Sequence, residues 1–203
     1  MPKKSGIVFV IVGAVLILSA LSLFFYNRNE DTQAGQEAEN LLSDVQAVIQ
    51  EKKETRLTEI DGYECEGYIS IPDLELELPV MTEWNYARLK IAPCRQFGSS
   101  KTDDLVIAAH NYKNHFGRLS QLESGDTIVF TDMDGIENKY EVILIDTLEP
   151  DEVEAVQNSG YDLVLYTCTY GGKTRVAVFC NRMDETPEPV LPDEESEDIL
   201  PPQ

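Results

Sequence analysis

The chain has 203 residues, a hydrophobic fraction of 42% and a formal net charge of −21, with 37 acidic against 16 basic residues. This length provides for one soluble domain with a substantial buried core in addition to an apolar N-terminal segment. The acidic balance excludes a typical nucleic-acid-binding protein, because contacts to phosphates require Lys and Arg.

The first predicted element is a membrane-spanning helix. Lys3 and Lys4 precede an uncharged run whose apolar part, Ile7–Tyr26, is long enough to cross a bilayer as a helix. The two lysines place the N-terminus in the cytoplasm and the remainder outside, by the positive-inside rule. A cleaved signal peptide is the alternative, but the apolar run is longer than a usual signal core. We therefore assign residues 1–28 to an uncleaved signal anchor.

Residues 29–60 are predicted to form a tether and an amphipathic helix. The segment Asn27–Gln36 is polar, which is typical of a short tether. Apolar residues then recur at helical spacing over Glu37–Lys53, at Ala38, Leu41, Leu42, Val45, Val48 and Ile49. This helix either packs on the following domain or serves as a stalk or cover for its site, and the pattern is compatible with both.

Residues 61–183 have the pattern of a mostly β domain. The predicted strands are Gly67–Ile71, a segment from Leu74 to Pro79, Leu105–Ala109, Thr127–Thr131, Lys139–Thr147, Leu163–Cys168 and Arg175–Asn181. Short helices are predicted at Trp84–Lys90, Phe116–Leu122 and Asp151–Gln157. Seven or eight short strands with few helices favour a closed or nearly closed β-barrel.

The final segment, residues 184–203, is acidic and Pro-rich and has neither Lys nor Arg. Such a composition cannot build a core, so we predict a disordered tail. Its Leu191-Pro192 pair begins like a sorting signal, but the Thr-Gly that would complete such a signal is absent.

Metal binding and glycosidase chemistry find little support in the sequence. Four widely spaced cysteines, no CxxC pair and only two histidines leave few ligands for zinc and favour free thiols over disulfides. Glu75 and Glu77 alternate with leucines, which predicts a solvated strand face and not a catalytic carboxylate pair. The loop around Asp132 and Asp134 lacks the spacing of a calcium-binding loop. We therefore assign no metal-ligating residues and no cofactor, and the sequence leaves open whether calcium binds.

The candidate nucleophile is Cys168, at the end of a predicted strand. If the last two strands form a hairpin, Arg175 lies across from Cys168, where a guanidinium lowers the pKa of a thiol and stabilises a developing oxyanion. The alternative is a buried, inert cysteine beside a surface arginine. Strand alternation places Cys180 on the face opposite to Arg175, so Cys180 is expected in the core.

The candidate acid or base is His110, which follows the apolar strand Leu105–Ala109. A histidine at a strand end can pair with a cysteine that arrives from another strand. His115 competes for this role, but it lies in a polar loop where exposure is expected.

Taken together, four segments in order resemble the sortase family. The resemblance covers roughly Gly67–Met183, and its segments are Gly67–Pro72 with Leu78–Val80, Ala108–Asn111, Phe116–Leu119 with Gly125–Asp126, and Val164–Cys168 with Arg175. The fourth segment resembles the family's TLxTC motif and trailing arginine, with Val164 in place of the first Thr. The Cys168-to-Arg175 connection is short for the family, which affects the substrate groove more than the chemistry.

This resemblance implies a closed eight-stranded sortase-type β-barrel with a few short helices, preceded by one transmembrane helix. It also implies a cysteine transpeptidase that cleaves an LPxTG-like C-terminal sorting signal through a thioacyl intermediate on Cys168 and transfers the acyl group to an amine. His110 would be the acid and base, Arg175 would hold the peptide and the oxyanion, and Thr167 would contact the substrate. The family class stays open, with some class B or class D character. The lack of a second transmembrane segment and of a lid motif in this sequence argues against class C.

The implied partners are surface proteins that carry sorting signals and an amine acceptor, either a cell-wall precursor or another surface protein. The implied location is the cell membrane, with a single pass, a cytoplasmic N-terminus and an extracellular catalytic domain. Two alternatives remain open: a thiol peptidase that resolves its intermediate with water, and a non-catalytic sortase-like module that binds peptides.

Overall fold

The computed structural model describes residues 3–51, 59–60 and 62–183. A long helix, α1 (Lys3–Gln50), precedes a set of strands and one short helix, α2 (Val153–Gln157). The strands are β1 (Glu59–Ile60), β2 (Tyr63–Ile71), β3 (Leu76–Met81), β4 (Cys94–Phe97), β5 (Leu105–Ala109), β6 (Thr127–Asp132), β7 (Glu137–Leu148), β8 (Leu163–Cys168) and β9 (Arg175–Arg182). Short 3₁₀ helices occupy Pro72–Leu74, Arg88–Lys90 and Phe116–Gln121.

Eight of these strands, β2 to β9, close into a barrel. Neighbours pair in the order β2-β3-β4-β5-β8-β9-β7-β6, and β6 pairs back onto β2. The two-residue strand β1 pairs with β2 at the outside of this closed set. The predicted eight-stranded β-barrel is therefore confirmed. Because the barrel is closed, its eight strands have no long unpaired edge with which a strand of another chain could pair.

Strand alternation divides the apolar residues of the barrel between an interior and an outer face. The interior cluster holds Leu105, Ile107 and Ala109 of β5, together with Leu163 and Leu165 of β8. The alternate residues, such as Val106 and Val164, belong to a separate cluster on the outer face with Ala177 and Phe179 of β9. Because side chains alternate along a strand, the residue after Ala109 and the last residue of β8 both project from the outer face.

Helix α1 combines an apolar N-terminal half with a C-terminal half that packs on the barrel. Its most apolar 18-residue window has a mean hydropathy of 2.9 and none of it is buried, so the helix is long and apolar enough to cross a membrane. Further along, Ala34, Ala38, Leu41 and Val45 are buried, and α1 contacts β1, β2 and β3. The amphipathic helix predicted from residue 37 is therefore the C-terminal part of α1, packed on the domain.

The tether predicted at Asn27–Gln36 is wrong in its conformation, because α1 runs through it without a break. Ala34 and Ala38 are buried one turn apart, so the apolar stripe begins a turn earlier than expected. The polar residues around them form the exposed side of the helix. Because only one alanine of the segment Asn27–Gln36 is buried, the sequence of that segment resembles a linker. The predicted end of this helix at Lys53 lies outside the described residues, as does the acidic tail 184–203.

Several elements between residues 74 and 97 differ in extent from the prediction. The helix predicted at Trp84–Lys90 is limited to a 3₁₀ turn at Arg88–Lys90, and β3 continues past Pro79 to Met81. The four-residue strand β4, which begins at Cys94, has no counterpart among the predicted strands. Pro79 is tolerated because its neighbours Leu78 and Val80 still pair with β2 on the same ladder.

Gly67 lies where β2 pairs with β6 to close the barrel, and the close approach of the two backbones there requires a glycine. It follows a register shift in β2 and has φ +147°, and a Cβ there would lie 2.0 Å from the carbonyl oxygen of Thr131. We expect Gly67→Ala to destabilise the fold by more than ~2 kcal/mol, because backbone and not a movable side chain occupies the space. The measurement is the Tm of the full chain in detergent.

Gly125→Ala is the matched control, since Gly125 also has a positive φ, +100°, but no atom within 4 Å of the added Cβ. It should cost about 1 kcal/mol, from backbone conformation alone. Equal losses of Tm in the two variants would show that the contact between β2 and β6 does not require Gly67.

Candidate active site

The hairpin formed by β8 and β9 brings Cys168 and Arg175 together. These residues are direct partners in the antiparallel ladder, as the sequence predicted. The turn between them is closed by two backbone bonds, from the Thr169 N–H to the Thr174 carbonyl at 3.0 Å and from the Gly172 N–H to the Thr169 carbonyl at 2.8 Å. The Thr169 and Thr174 hydroxyl oxygens are also 2.9 Å apart. A rigid turn therefore fixes Arg175 beside Cys168.

The parallel pairing of β5 with β8 brings His110 to the same place. Ala109 is the partner of Thr167, so His110 and Cys168 follow at neighbouring strand ends, and adjacent strands lie ~4.8 Å apart. Both residues project from the outer face of the barrel. The three predicted catalytic residues therefore meet, although 58 residues separate His110 from Cys168 in the sequence.

Two hydrogen bonds tie these strand ends together, one on each side of the His110–Cys168 pair. The Thr167 hydroxyl donates to the Ala109 carbonyl at 2.8 Å, and the Asn111 side-chain amide donates to the Thr169 carbonyl at 3.3 Å. Thr167 is only 4% exposed. It borders the cavity, but its hydroxyl is engaged in this link, so a substrate contact by Thr167 stays a prediction.

The three residues open into one cavity of about 280 Å³ on the outer face of the barrel. One wall comes from the segment between β3 and β4, with Trp84, Tyr86 and Leu89. The opposite wall comes from the end of β7 and from α2, with Leu148, Glu149, Pro150, Glu152 and Val156. The floor consists of strand residues including Ala108, Tyr166 and Thr167. A mostly apolar cleft with a few converging polar groups is typical of a binding site for a peptide segment.

The electrostatic environment keeps His110 neutral at physiological pH. Burial lowers the pKa of its imidazole, and the positive charge of Lys90 lowers it further, whereas the carboxylate of Glu30 raises it. The His110 Nε2 atom is buried and has no hydrogen-bond partner within the described part of the chain. His110 as a residue lines the cavity, where an imidazole can exchange a proton with a bound group.

Arg175 is held by its own turn. Its Nη1 donates to the carbonyl oxygens of Gly172 at 3.1 Å and Thr174 at 3.0 Å. A guanidinium carries five N–H donors, so these bonds orient the group and leave donor capacity for a ligand oxygen. This is the arrangement expected of a group that stabilises an oxyanion.

Sequence reasoning missed Tyr166 as a residue of the site. Burial raises the pKa of its phenol to about 12, with smaller influences from Arg175, Cys168 and Tyr86, which places Tyr166 beside both the thiol and the guanidinium. Alternation gave a usable signal, because residues 166 and 168 lie on the same face of β8. The phenol is protonated at neutral pH and presents a hydroxyl in the cavity.

His115 is buried, which corrects the expectation of an exposed loop residue. Its side chain is fully covered, and its Nε2 lies 3.4 Å from the carbonyl oxygen of Ala34 in α1. It does not border the cavity that holds Cys168. The cover comes from a helix 81 residues away in sequence, so local polarity in the loop gave no sign of it.

The remaining cysteines are unlike Cys168, which is partly exposed. All four cysteines lie within the described residues and are free thiols, as predicted. Burial raises the pKa of Cys65 to about 11 and of Cys94 and Cys180 to about 12. Cys180 is in the barrel interior, as the alternation of β9 indicated.

Asp132 has a structural role in the turn between β6 and β7. Its carboxylate accepts bonds from the N–H groups of Asp134 at 2.9 Å and Ile136 at 3.0 Å, and so caps the β6–β7 turn. Within the described residues, no group of three or more His, Cys, Asp and Glu side chains is arranged to hold a metal ion.

We expect a thiol-alkylating reagent to modify the native full chain once, at Cys168, and four times after denaturation. Only Cys168 is accessible, and the other thiols stay protonated because of their raised pKa values. Intact-mass and peptide mass spectrometry at pH 8 measure this. Labelling of Cys65 or Cys94 at a comparable rate would contradict the assignment of Cys168 as the distinctive thiol.

His115 should make the fold sensitive to acid. Burial lowers its pKa from the ordinary 6.5 to about 4 and outweighs the backbone hydrogen bond to Ala34, which raises it, so the unfolded chain binds the proton more strongly. The stability contributed by the neutral form is complete above pH 6.5 and is lost as the pH falls towards 4. Between pH 7.5 and pH 5 we expect wild type to lose ~2 kcal/mol more than His115→Gln.

Denaturant unfolding at the two pH values measures this difference, and all other titrating groups are common to both proteins. Parallel pH profiles for wild type and His115→Gln would show that His115 is not buried in its neutral form.

Comparison with known proteins connects this geometry to one family. The family model described as the sortase domain matches residues 69–183, which is more than half of the chain. Sortase A of Bacillus anthracis is 30% identical over 115 residues, which are 54% of this chain and 54% of that relative. The chain thus matches about half the length of this curated relative.

Solved structures agree in fold. Sortase C1 from Streptococcus suis superposes with a TM-score of 0.53 at 26% identity, covering 63% of this chain and 77% of that one. The lid mutant of sortase A from Corynebacterium diphtheriae gives a TM-score of 0.54 at 22% identity, covering 75% and 97%. At that identity the second likeness shows the fold alone. Since proteins named sortase A and sortase C superpose about equally well, fold comparison does not separate the classes.

Proposed function

This chain belongs to the sortase family, and on that premise we propose that it is a cysteine transpeptidase that acts on C-terminal sorting signals of the LPxTG type. The observation that carries the proposal is the meeting of Cys168, His110 and Arg175 in one cavity on the outer face of the barrel. Each residue comes from a different strand or strand end, and two flanking hydrogen bonds fix the pair of strands that present the thiol and the imidazole.

The first half of the proposed reaction forms a thioacyl enzyme. His110 accepts the proton of the Cys168 thiol, and the thiolate so formed attacks the carbonyl carbon of the scissile peptide bond. The carbonyl oxygen gains negative charge that the Arg175 guanidinium stabilises. Collapse of this intermediate breaks the C–N bond, and the His110 imidazolium gives its proton to the leaving amine. Because burial lowers the pKa of His110, its protonated form is a stronger acid towards that amine.

The second half transfers the acyl group. An amine enters in place of the leaving peptide, and His110 as neutral base removes its proton. The new amide forms as Cys168 leaves as thiolate, and the thiolate then takes the proton back from His110. The neutral state of His110 at physiological pH suits this step. None of these steps needs a cofactor, since the thiol, imidazole and guanidinium supply the nucleophile, the proton and the positive charge.

The location and the partners form part of the same proposal. We place α1 in the cell membrane with a cytoplasmic N-terminus, because Lys3 and Lys4 precede the apolar run and the barrel follows it. The barrel is then extracellular, where surface proteins with sorting signals and an amine acceptor meet it. Confinement of enzyme and substrates to one membrane raises their effective concentration.

Incubation of the full chain in detergent with an LPxTG-type peptide library and a small amine tests the activity. Amine-capped products, detected by mass spectrometry, are expected from wild type and not from Cys168→Ala. His110→Ala should lose ~10²–10⁴-fold in rate, and Arg175→Ala ~10²–10³-fold, the usual contributions of a proton donor and of an oxyanion donor. Lys173→Ala is the matched control, because Lys173 is an exposed cation in the same turn.

Three other outcomes would change the conclusion. Hydrolysed peptide with no amine-capped product would make the enzyme a thiol peptidase. Peptide binding without any thioacyl adduct on Cys168 would favour the non-catalytic binding module. A loss in Lys173→Ala equal to that in Arg175→Ala would show that the turn supplies only general positive charge.

A further inference from the structure

The loop that follows β5 is held by helix α1, although the two segments are far apart in sequence. The Asn114 N–H donates to the Asp31 carboxylate at 3.4 Å, and its side-chain amide donates to the Asp31 carbonyl at 3.4 Å. A Cβ on Gly35 would lie 2.6 Å from Asn114 Nδ2, so a larger residue in α1 would require the Asn114 side chain to move. The loop carries His110 at its beginning and His115 at its end.

His115 is the residue through which this loop is bound to α1. The Ala34 carbonyl can only accept a hydrogen bond, so Nε2 of His115 carries the proton and donates to it at 3.4 Å. Its other nitrogen, Nδ1, is buried and has no partner of normal hydrogen-bond geometry among the described residues, although the backbone of Ile91 lies near enough to the ring to raise its pKa. A buried imidazole with an unpaired nitrogen is less stable than an apolar ring in the same place. Packing alone therefore does not account for a histidine here.

Tyr112 lies between the two histidines. The ring centroids of Tyr112 and His115 are 5.4 Å apart in an edge-to-face arrangement, and those of Tyr112 and His110 are 4.9 Å apart. The backbone of the loop is closed by bonds from His115 N–H to the Tyr112 carbonyl at 3.0 Å and from Phe116 N–H to the His110 carbonyl at 3.2 Å. Contacts thus run without a gap from α1 through His115 and Tyr112 to the imidazole of His110.

We propose that His115 is a positioning residue for His110, which fixes the orientation of the His110 ring by holding Tyr112 against it while bound to α1. This proposal rests on the proposed function, in which His110 transfers protons. Under this proposal, the packing of α1 on the loop contributes to the geometry of the active site. Ala34 is eight residues beyond Tyr26, the end of the apolar run, or ~12 Å along the helix.

Two substitutions of His115 in the full chain separate positioning from folding. His115→Phe keeps an aromatic ring against Tyr112 but loses the donor, whereas the amide nitrogen of Gln in His115→Gln can replace Nε2 as donor to Ala34. We expect kcat to fall ~10- to 30-fold in His115→Phe with KM changed less than about twofold, and to recover to within about threefold of wild type in His115→Gln. Lys113→Ala, an exposed change in the same loop, is the control.

Gly35→Ala tests the same contact from the helix side. Alanine favours the helix over glycine by about 1 kcal/mol, so α1 itself is not weakened, but the new Cβ displaces Asn114. We expect a reduced kcat with no loss of Tm.

Nuclear magnetic resonance of the imidazoles provides a readout that does not depend on activity. The chain has two histidines, so each His115 variant leaves the resonances of His110 alone in the spectrum. We expect the His110 chemical shifts and titration midpoint to change in His115→Phe and to return towards wild type in His115→Gln.

If wild type proves inactive, the proposed function fails, but this spectroscopic difference still tests the positioning of His110. Unchanged His110 resonances in both His115→Phe and Gly35→Ala would overturn the inference, as would a loss of kcat that follows Tm in every variant and is not recovered by Gln.

Discussion

The parallel pairing of β5 with β8 is the constraint on which the rest of the site depends. It places the ends of two buried strands side by side, so that the residue after Ala109 and the residue after Thr167 become neighbours. Hydrogen bonds one position before and one position after this pair keep the strand ends from separating. Without that link, the imidazole and the thiol would sit on independent loops.

The antiparallel pairing of β8 with β9 fixes the position of Cys168 from the other side of β8. Because β8 pairs with β5 and with β9 at once, Cys168 is fixed between His110 and Arg175. The three residues share the outer face because strand alternation sends Ala109 and Thr167 inward. The interior of the barrel is filled with apolar side chains, so the three candidate residues and the cavity that they line lie outside it.

Much of this arrangement could be predicted from the sequence, because it follows from strand periodicity. The alternation of β8 and β9 and the short turn between them were enough to pair Cys168 with Arg175 and to place Cys180 in the core. The strand β5 was found at its observed ends, since it is a continuous apolar run before a polar loop. Parallel pairing with β8 was not predicted, because strand order is determined by closure of the whole barrel.

The features that the sequence did not reveal are those in which distant segments cover each other. β4 has four residues and includes a charged Arg95, so its pattern is too short for periodicity to detect. His115 lies in a polar loop, and only the packing of α1 makes it a buried residue. The segment predicted as a tether is helical for the same reason. Ala34 is buried by contacts with the barrel domain, which the neighbouring residues in the sequence do not reveal.

The continuity of α1 connects the anchor to the chemistry. A flexible tether would let the barrel turn freely above a membrane, whereas one helix that begins in an apolar run and ends packed on β2 and β3 holds the barrel in one orientation. The part of α1 nearest the apolar run contacts two segments beside the cavity. Asp31 accepts a hydrogen bond from Asn114 in the loop that carries His110, and Glu30 lies 4.0 Å from Lys90 in the segment between β3 and β4. The side of the barrel that bears the cavity is therefore the side on which α1 leads into the apolar run.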